Sequence, residues 1–157
     1  MENAAPHPGP ADEPRRVVSV SVGDHWSIDL EPGFRRRRSE GAGADLVLWQ
    51  GGRTVYTTLR QAGSAEAEEA IARMLDDRRQ HVVRQFERIE PGLVGHAYLL
   101  PEQGGGKKYW GLNTWVTAHR SVLCITFYFP DLSDLPWALG AWNSVRSGDT
   151  PEPKYAN

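Results

Sequence analysis

The chain holds one cysteine, two methionines and no long apolar run, and each scarcity closes a route. A lone Cys124 cannot form an internal disulfide, and its place among alternating apolar residues marks an inert buried thiol rather than a nucleophile. No stretch approaches the roughly eighteen consecutive apolar residues of a membrane-crossing helix, so that role is excluded. The N-terminus, MENAAPHPGPADEPRR, puts Glu2 where an export signal needs positive charge. It also lacks the apolar stretch of roughly seven to fifteen residues that such signals carry, and a cytoplasmic location is expected. Lys plus Arg is 18 against 20 for Asp plus Glu, a formal charge of -2. With no cationic excess, nucleic acid is not an expected partner.

Catalytic signatures are scarce as well. His7, His25, His81, His96 and His119 share no metal-ligand spacing such as H-E-x-x-H, so neither a metal nor a cofactor is expected. No G-x-S-x-G turn offers a serine nucleophile. The glycine stretches GAGAD, GGRT and GGGKKY lack the third glycine of a dinucleotide loop or the Lys-Ser/Thr of a phosphate loop, and read as turns or a flexible loop. Asp76 and Asp77 are adjacent on a predicted helix, point to diverging sides, and read as solvated surface. An enzyme is therefore not expected.

What is present is a patterned centre between two polar ends. A chain of 157 residues fits one domain, which buries roughly two-thirds of its unfolded surface without a covalent staple. Prolines and small residues make 1–16 a disordered tail, and GDTPEPKYAN makes 147–157 a polar one, leaving a domain over 17–146. VVSVSV and WSIDL alternate with the two-residue period of half-buried strands. Pro32-Gly33 turns the chain, and Arg35 to Arg38 follow on a strand or edge. DLVLWQ, Gly51-Gly52 and RTVYTTL form a hairpin. Ser64 caps a predicted long helix over 64–80, with Ala67, Ala70, Ile71, Met74 and Leu75 on its apolar stripe. VVRQFERIE fits a continued helix or a strand equally well. LVGHAYLL is a strand, and PEQGGGKK a glycine loop.

The most constrained stretch is YWGLNTWVTAHRSVLCITFYFP, Tyr109 to Pro130, which reads as two strands turning over Ala118 to Ser121. Leu123, Ile125, Phe127 and Phe129 oppose Val122, Cys124 and Tyr128, so both faces of the second strand are apolar and it belongs centrally in the sheet. Beyond Pro130, a short helix follows with Ser133 or Asp134 as N-cap, Pro136 in its first turn and Trp137, Leu139, Trp142 and Val145 facing inward. The fold class is α+β: a twisted antiparallel sheet flanked by one long helix and a short C-terminal helix.

The segments WSIDLEPGF, FYFPD and WALGAWNSVR, in this order of elements, resemble the PsbP-like fold of photosystem extrinsic subunits, a nuclear Ran-binding factor and bacterial DcrB-like proteins. The resemblance covers about Val17 to Arg146. It implies a mostly non-enzymatic binding, assembly or chaperone role, and some bacterial relatives serve secretion systems as toxin chaperones. DcrB-like proteins are usually exported, whereas this chain shows no signal, and no manganese or Ran contact can be matched to its residues.

Two functional expectations follow. The first is a cytoplasmic, bacterial protein-binding or accessory protein, of the toxin-immunity or secretion-associated kind, with Trp49, Tyr109 and Trp115 as candidate partner anchors because tryptophan and tyrosine dominate interface energetics. Core packing is the plainer reading for all six tryptophans, and an exposed aromatic face would serve a homodimer equally. The second is a domain that binds a small anionic ligand, or hydrolyses weakly, through the arginine run, with Arg36 and Arg38 as anion-binding candidates and His96 or Tyr109 assisting. Against it, four arginines on a strand are also what a solvated edge looks like.

Overall fold

The chain is described by a computed structural model over residues 16–23, 25–38, 45–65, 68–69, 71–72 and 81–148. Its alternating segments become ten strands: β1 Val18–Gly23, β2 Trp26–Leu30, β3 Arg35–Arg38, β4 Leu46–Gln50, β5 Arg53–Gln61, β6 Arg84–Glu90, β7 Leu93–Gly104, β8 Lys107–Ala118, β9 Ser121–Phe129 and β10 Arg146–Ser147. An α-helix, α1, spans Leu135–Ser144. Seven strands form an antiparallel sheet in the order β3-β4-β5-β9-β8-β7-β6, and β1-β2-β10 form a smaller one. Two meanders, β3 to β5 and β6 to β9, are therefore joined by the β5–β9 pairing. The connection over 62–83 carries the chain from mid-sheet to the far edge.

The β8–β9 hairpin lies where its apolar pattern requires. Leu123, Ile125 and Phe127 are fully buried, and Phe129 nearly so. On the same face lie Leu112 and Val116 of β8, Leu99 and Ala97 of β7, Val55 of β5 and Leu48 of β4, because residues directly opposite in register share a face. This face packs against α1 and β2, which contribute Trp137, Ala138, Trp142, Trp26, Ile28 and Leu30. Proline stands in the first turn of α1, where its missing N–H costs nothing. Asp131 opens the preceding 3₁₀ turn, Leu132–Asp134, by accepting a hydrogen bond from the Ser133 backbone N–H at 2.8 Å. That bond holds its carboxyl below the usual carboxylate range.

Polar contacts fix the small sheet and helix against the large sheet. Trp26 Nε1 donates to Ser121 Oγ at 2.8 Å, and the Asp29 backbone N–H donates to Ser144 Oγ at 2.8 Å. Arg146 grips Asp29 with both terminal nitrogens, at 2.9 and 3.1 Å. Trp137 is held on four sides. Its ring lies parallel to Phe34 at 6.1 Å and edge-on to Phe127 at 5.8 Å, with the Arg53 guanidinium 4.6 Å from its centroid and its Nε1 donating to Glu31 at 3.0 Å.

One open reading is settled and two expectations are revised. Residues 84–90 are a strand: Phe86 and Arg88 turn toward the covered face while Gln85, Glu87 and Ile89 turn away, a period of two and not of 3.6. PEQGGGKK is not a flexible loop, since β7 runs to Gly104 and a two-residue turn at Gly105-Gly106, both at positive φ, returns it to β8. Pro101 is tolerated within β7 because pairing with β6 ends at Leu99, leaving that side of the strand open. Ser147, expected in the C-terminal tail, pairs with Trp26.

Of the long helix predicted over 64–80, Ala65, Glu68, Glu69, Ile71 and Ala72 are helical. Its remaining residues, and most of both predicted tails, lie outside the described residues. Among those described, no helix is long and apolar enough to cross a membrane.

The β8–β9 turn places His119 and Arg120 at φ 47° and 63°, a conformation that costs a non-glycine residue on the order of 1 kcal/mol. Arg120→Gly is expected to stabilise the fold by about 0.5–1 kcal/mol, raising Tm by roughly 1–4 °C; thermal and urea unfolding of the two proteins check it.

Candidate functional site

The second face of the large sheet carries the exposed aromatic residues. By register, Trp49 of β4, Tyr56 of β5, Tyr128 of β9, Tyr109, Asn113 and Trp115 of β8, and Tyr98 and His96 of β7 all project to it. Its two halves differ. In one, Trp115, Val122 and Cys124 pack together, with Tyr98, Ala62 and Ile71 closing over them. Trp115 stacks on Tyr98 at 5.4 Å and contacts the His96 ring at 5.2 Å. It is only 9% exposed. Trp115 is thus not available as a partner anchor, because the connection following β5 covers it.

The other half is open. Tyr128 sits between Tyr56 and Tyr109, meeting each ring edge-to-face at 5.5 Å. Such edge-to-face pairs orient one another. Tyr56 is 39% exposed, while Trp49, Tyr109 and Tyr128 are half-buried. The ladder lies low because β8 has glycine beneath it: a Cβ at Gly111 would stand 3.2 Å from both the Tyr128 ring and the Glu102 side chain. Asn113 lies under the same face, nearly buried. Its Oδ1 accepts from Thr126 Oγ1 at 3.3 Å, and its Nδ2 has no acceptor among the described residues.

Tyr109 also joins this face to a cleft of about 430 Å³, formed where the β7–β8 hairpin extends past the ends of β6 and β9. Pro101, Trp110, Pro130 and Tyr109 supply apolar walls, with Glu102 and Lys108 at the rim. The volume is within the range of ligand-sized sites. Its lining suits an apolar or aromatic side chain flanked by polar backbone.

The arginine run is placed elsewhere. β3 is the outermost strand of the large sheet and all four arginines are exposed. Arg36 and Arg38 oppose Leu48 and Leu46 and so lie on the α1 side; Arg35 and Arg37 oppose Trp49 and Val47 and border the aromatic face. Five strand spacings of about 4.8 Å separate β3 from β7, so the run and His96 are on the order of 24 Å apart. Tyr109 is one strand nearer. The structure does not assemble the arginine–histidine–tyrosine constellation that hydrolysis would need. Among the described residues, no group of three or more His, Cys, Asp or Glu is placed to hold a metal.

Sequence reasoning missed Tyr56, Tyr128 and the cleft. Tyr56 and Tyr128 were legible as strand residues on one face, but their meeting depends on the β5–β9 pairing between distant segments.

A single layered domain with one large antiparallel sheet, a helix and small sheet on one face, and a half-open aromatic second face defines an α+β fold. Its fold is PsbP-like: the chain superposes on cyanobacterial PsbP from Synechocystis sp. PCC 6803 with a TM-score of 0.65, 11% identity, and coverage of 90% of this chain and 98% of that one. A Pseudomonas aeruginosa protein of unknown function, described as a putative regulator, matches at a TM-score of 0.41 and 13% identity, covering 81% of this chain and 91% of that one. No protein-family model matches the chain, and no curated protein does.

Burial against Trp115 and Ile71 pushes the Cys124 thiol up to about 11, against an ordinary 9.0. Cys124 should resist Ellman's reagent at pH 8 in the native protein and react at once in denaturant. The folded-state value is the higher one, so the unfolded chain loses this proton first. The thiol's contribution to stability is therefore complete below pH 9 and lost between about pH 9 and 11, a slope that Cys124→Ala should remove in urea titrations.

Proposed function

We propose that this protein is a non-enzymatic accessory protein that docks a protein partner on the open aromatic half of its large sheet. The supporting observation is the Tyr56–Tyr128–Tyr109 ladder, with Trp49 alongside, running into the cleft beside Tyr109. Aromatic side chains supply large, stiff contact area with a polar tip, and anchors of this kind carry most of the energy in protein interfaces. The cleft gives the surface a recess for one projecting partner side chain, and the arginines of β3 give it a cationic border. Trp49 and Tyr109 remain candidate anchors, and Tyr56 and Tyr128 join them in the place of Trp115.

The setting proposed for this role is the bacterial cytoplasm, in toxin immunity or in secretion assistance, on the strength of the PsbP-like resemblance. The two settings differ in the partner they require. An immunity role requires a toxin whose activity falls on binding, and a secretion role requires a cargo that fails to leave the cell without this protein.

Affinity capture from the native host by the wild-type chain and by the Tyr56→Ala/Tyr109→Ala double variant, followed by titration of the recovered partner, tests the reading. The partner should bind the variant at least tenfold more weakly, since each lost anchor costs about 1 kcal/mol or more. A partner held equally by both proteins would count decisively against this surface. Sedimentation of the purified protein shows whether the same face instead pairs two copies.

A further inference from the structure

Beyond bordering that surface, the four arginines of β3 have a geometry that supports a role of their own. β3 ends the large sheet, so one side of its backbone has no strand partner among the described residues. The backbone of β3 pairs with β4 on its other side, while the side chains of Arg35, Arg36, Arg37 and Arg38 are exposed and make no hydrogen bond or ion pair with the described residues. Beside them runs a groove of about 260 Å³, walled by Val18, Ser19, Val20 and Ser21 of β1 across from Phe34 and Arg36. β1 is itself an edge, so the groove lies between two strands that each have an open side. Glu31, the acidic residue on its wall, is already engaged by Arg53 and Trp137.

We infer that the open edge of β3 is a docking site for an extended acidic peptide segment, added as an eighth strand. The argument is one of matched periods. Along β3 the arginines alternate between faces, and those sharing a face stand about 6.6–6.8 Å apart. An added strand alternates with the same repeat, so consecutive acidic residues on it bring a carboxylate to each guanidinium on both faces while its backbone completes the ladder. A neutral or apolar strand would crowd four guanidinium groups without compensating them, and a basic one would be repelled, so the edge selects by charge. A small anion gains far less. The charges are spread over two sides of the sheet, all exposed, and no cavity gathers them.

The probe is a fluorescein-labelled peptide with four alternating Glu and Asp residues between threonine and valine flanks, titrated with the full chain and followed by anisotropy. Arg35→Ala/Arg37→Ala and Arg36→Ala/Arg38→Ala should each weaken binding by about fivefold. Circular dichroism confirms that these surface variants fold. A peptide that keeps all four acidic residues but has prolines interleaved between them and replacing its flanks should bind at least tenfold more weakly, and amide exchange along 35–38 should slow only with the unmodified peptide. Tyr56→Ala/Tyr109→Ala should bind the peptide as the wild type does, which separates the edge from the aromatic surface. Equal binding of the proline-bearing peptide, tighter binding of a single-stranded oligonucleotide, indifference to the arginine pairs, dependence on the tyrosines, or no binding would each overturn the inference.

Discussion

A strand that is apolar on both faces must be covered on both, and β9 imposes that requirement on the whole molecule. Leu123, Ile125, Phe127 and Phe129 need one layer; Val122 and Cys124 need another. The first is supplied by α1 with β2, clamped through Trp137, whose ring touches residues from β9 and the β2–β3 turn while Arg53 and Glu31 hold its exposed rim. Burying a side chain of this size contributes on the order of 2–3 kcal/mol, and the charged pair keeps the indole N–H satisfied as it is buried. The second layer comes from the connection between β5 and β6, whose Ile71 closes over Trp115.

That second layer covers only part of its face, and the division decides what the surface can do. Where the connection crosses, Trp115 and Cys124 are sealed into packing. Beyond it, the face retains three interlocked tyrosines and a tryptophan partly in contact with solvent. Sheet width separates the groups that might otherwise cooperate chemically, since His96 and the arginines occupy strands near opposite edges. A surface organised in this way offers area and charge in separate zones, and the proposed docking role rests on the first of them.

Much of this order was legible in the chain. Strict alternation in WSIDL, and the two-residue period that sets Leu123, Ile125, Phe127 and Phe129 on one side of an otherwise apolar β9, define faces without any knowledge of partners, and Gly51-Gly52 and Pro91-Gly92 mark turns by backbone geometry alone. The segments left open or misread are those where local chemistry favours two answers. Val82, Phe86 and Ile89 satisfy a helical spacing as well as Phe86 and Arg88 satisfy a strand, and only pairing with β7 settles it. Three glycines look like slack chain until a strand on each side fixes two of them in a tight turn.

By itself, the sequence determined the class of fold, the central place of β9 and the faces to which its neighbours turn, because side-chain alternation is a local property of an extended backbone. The tertiary structure alone decided which aromatic residues are covered. Trp115 and Tyr109 lie on one strand and one face with equal claims to exposure. One is buried and the other lines a cleft because a remote segment crosses above the first and the hairpin projects beyond its neighbours at the second.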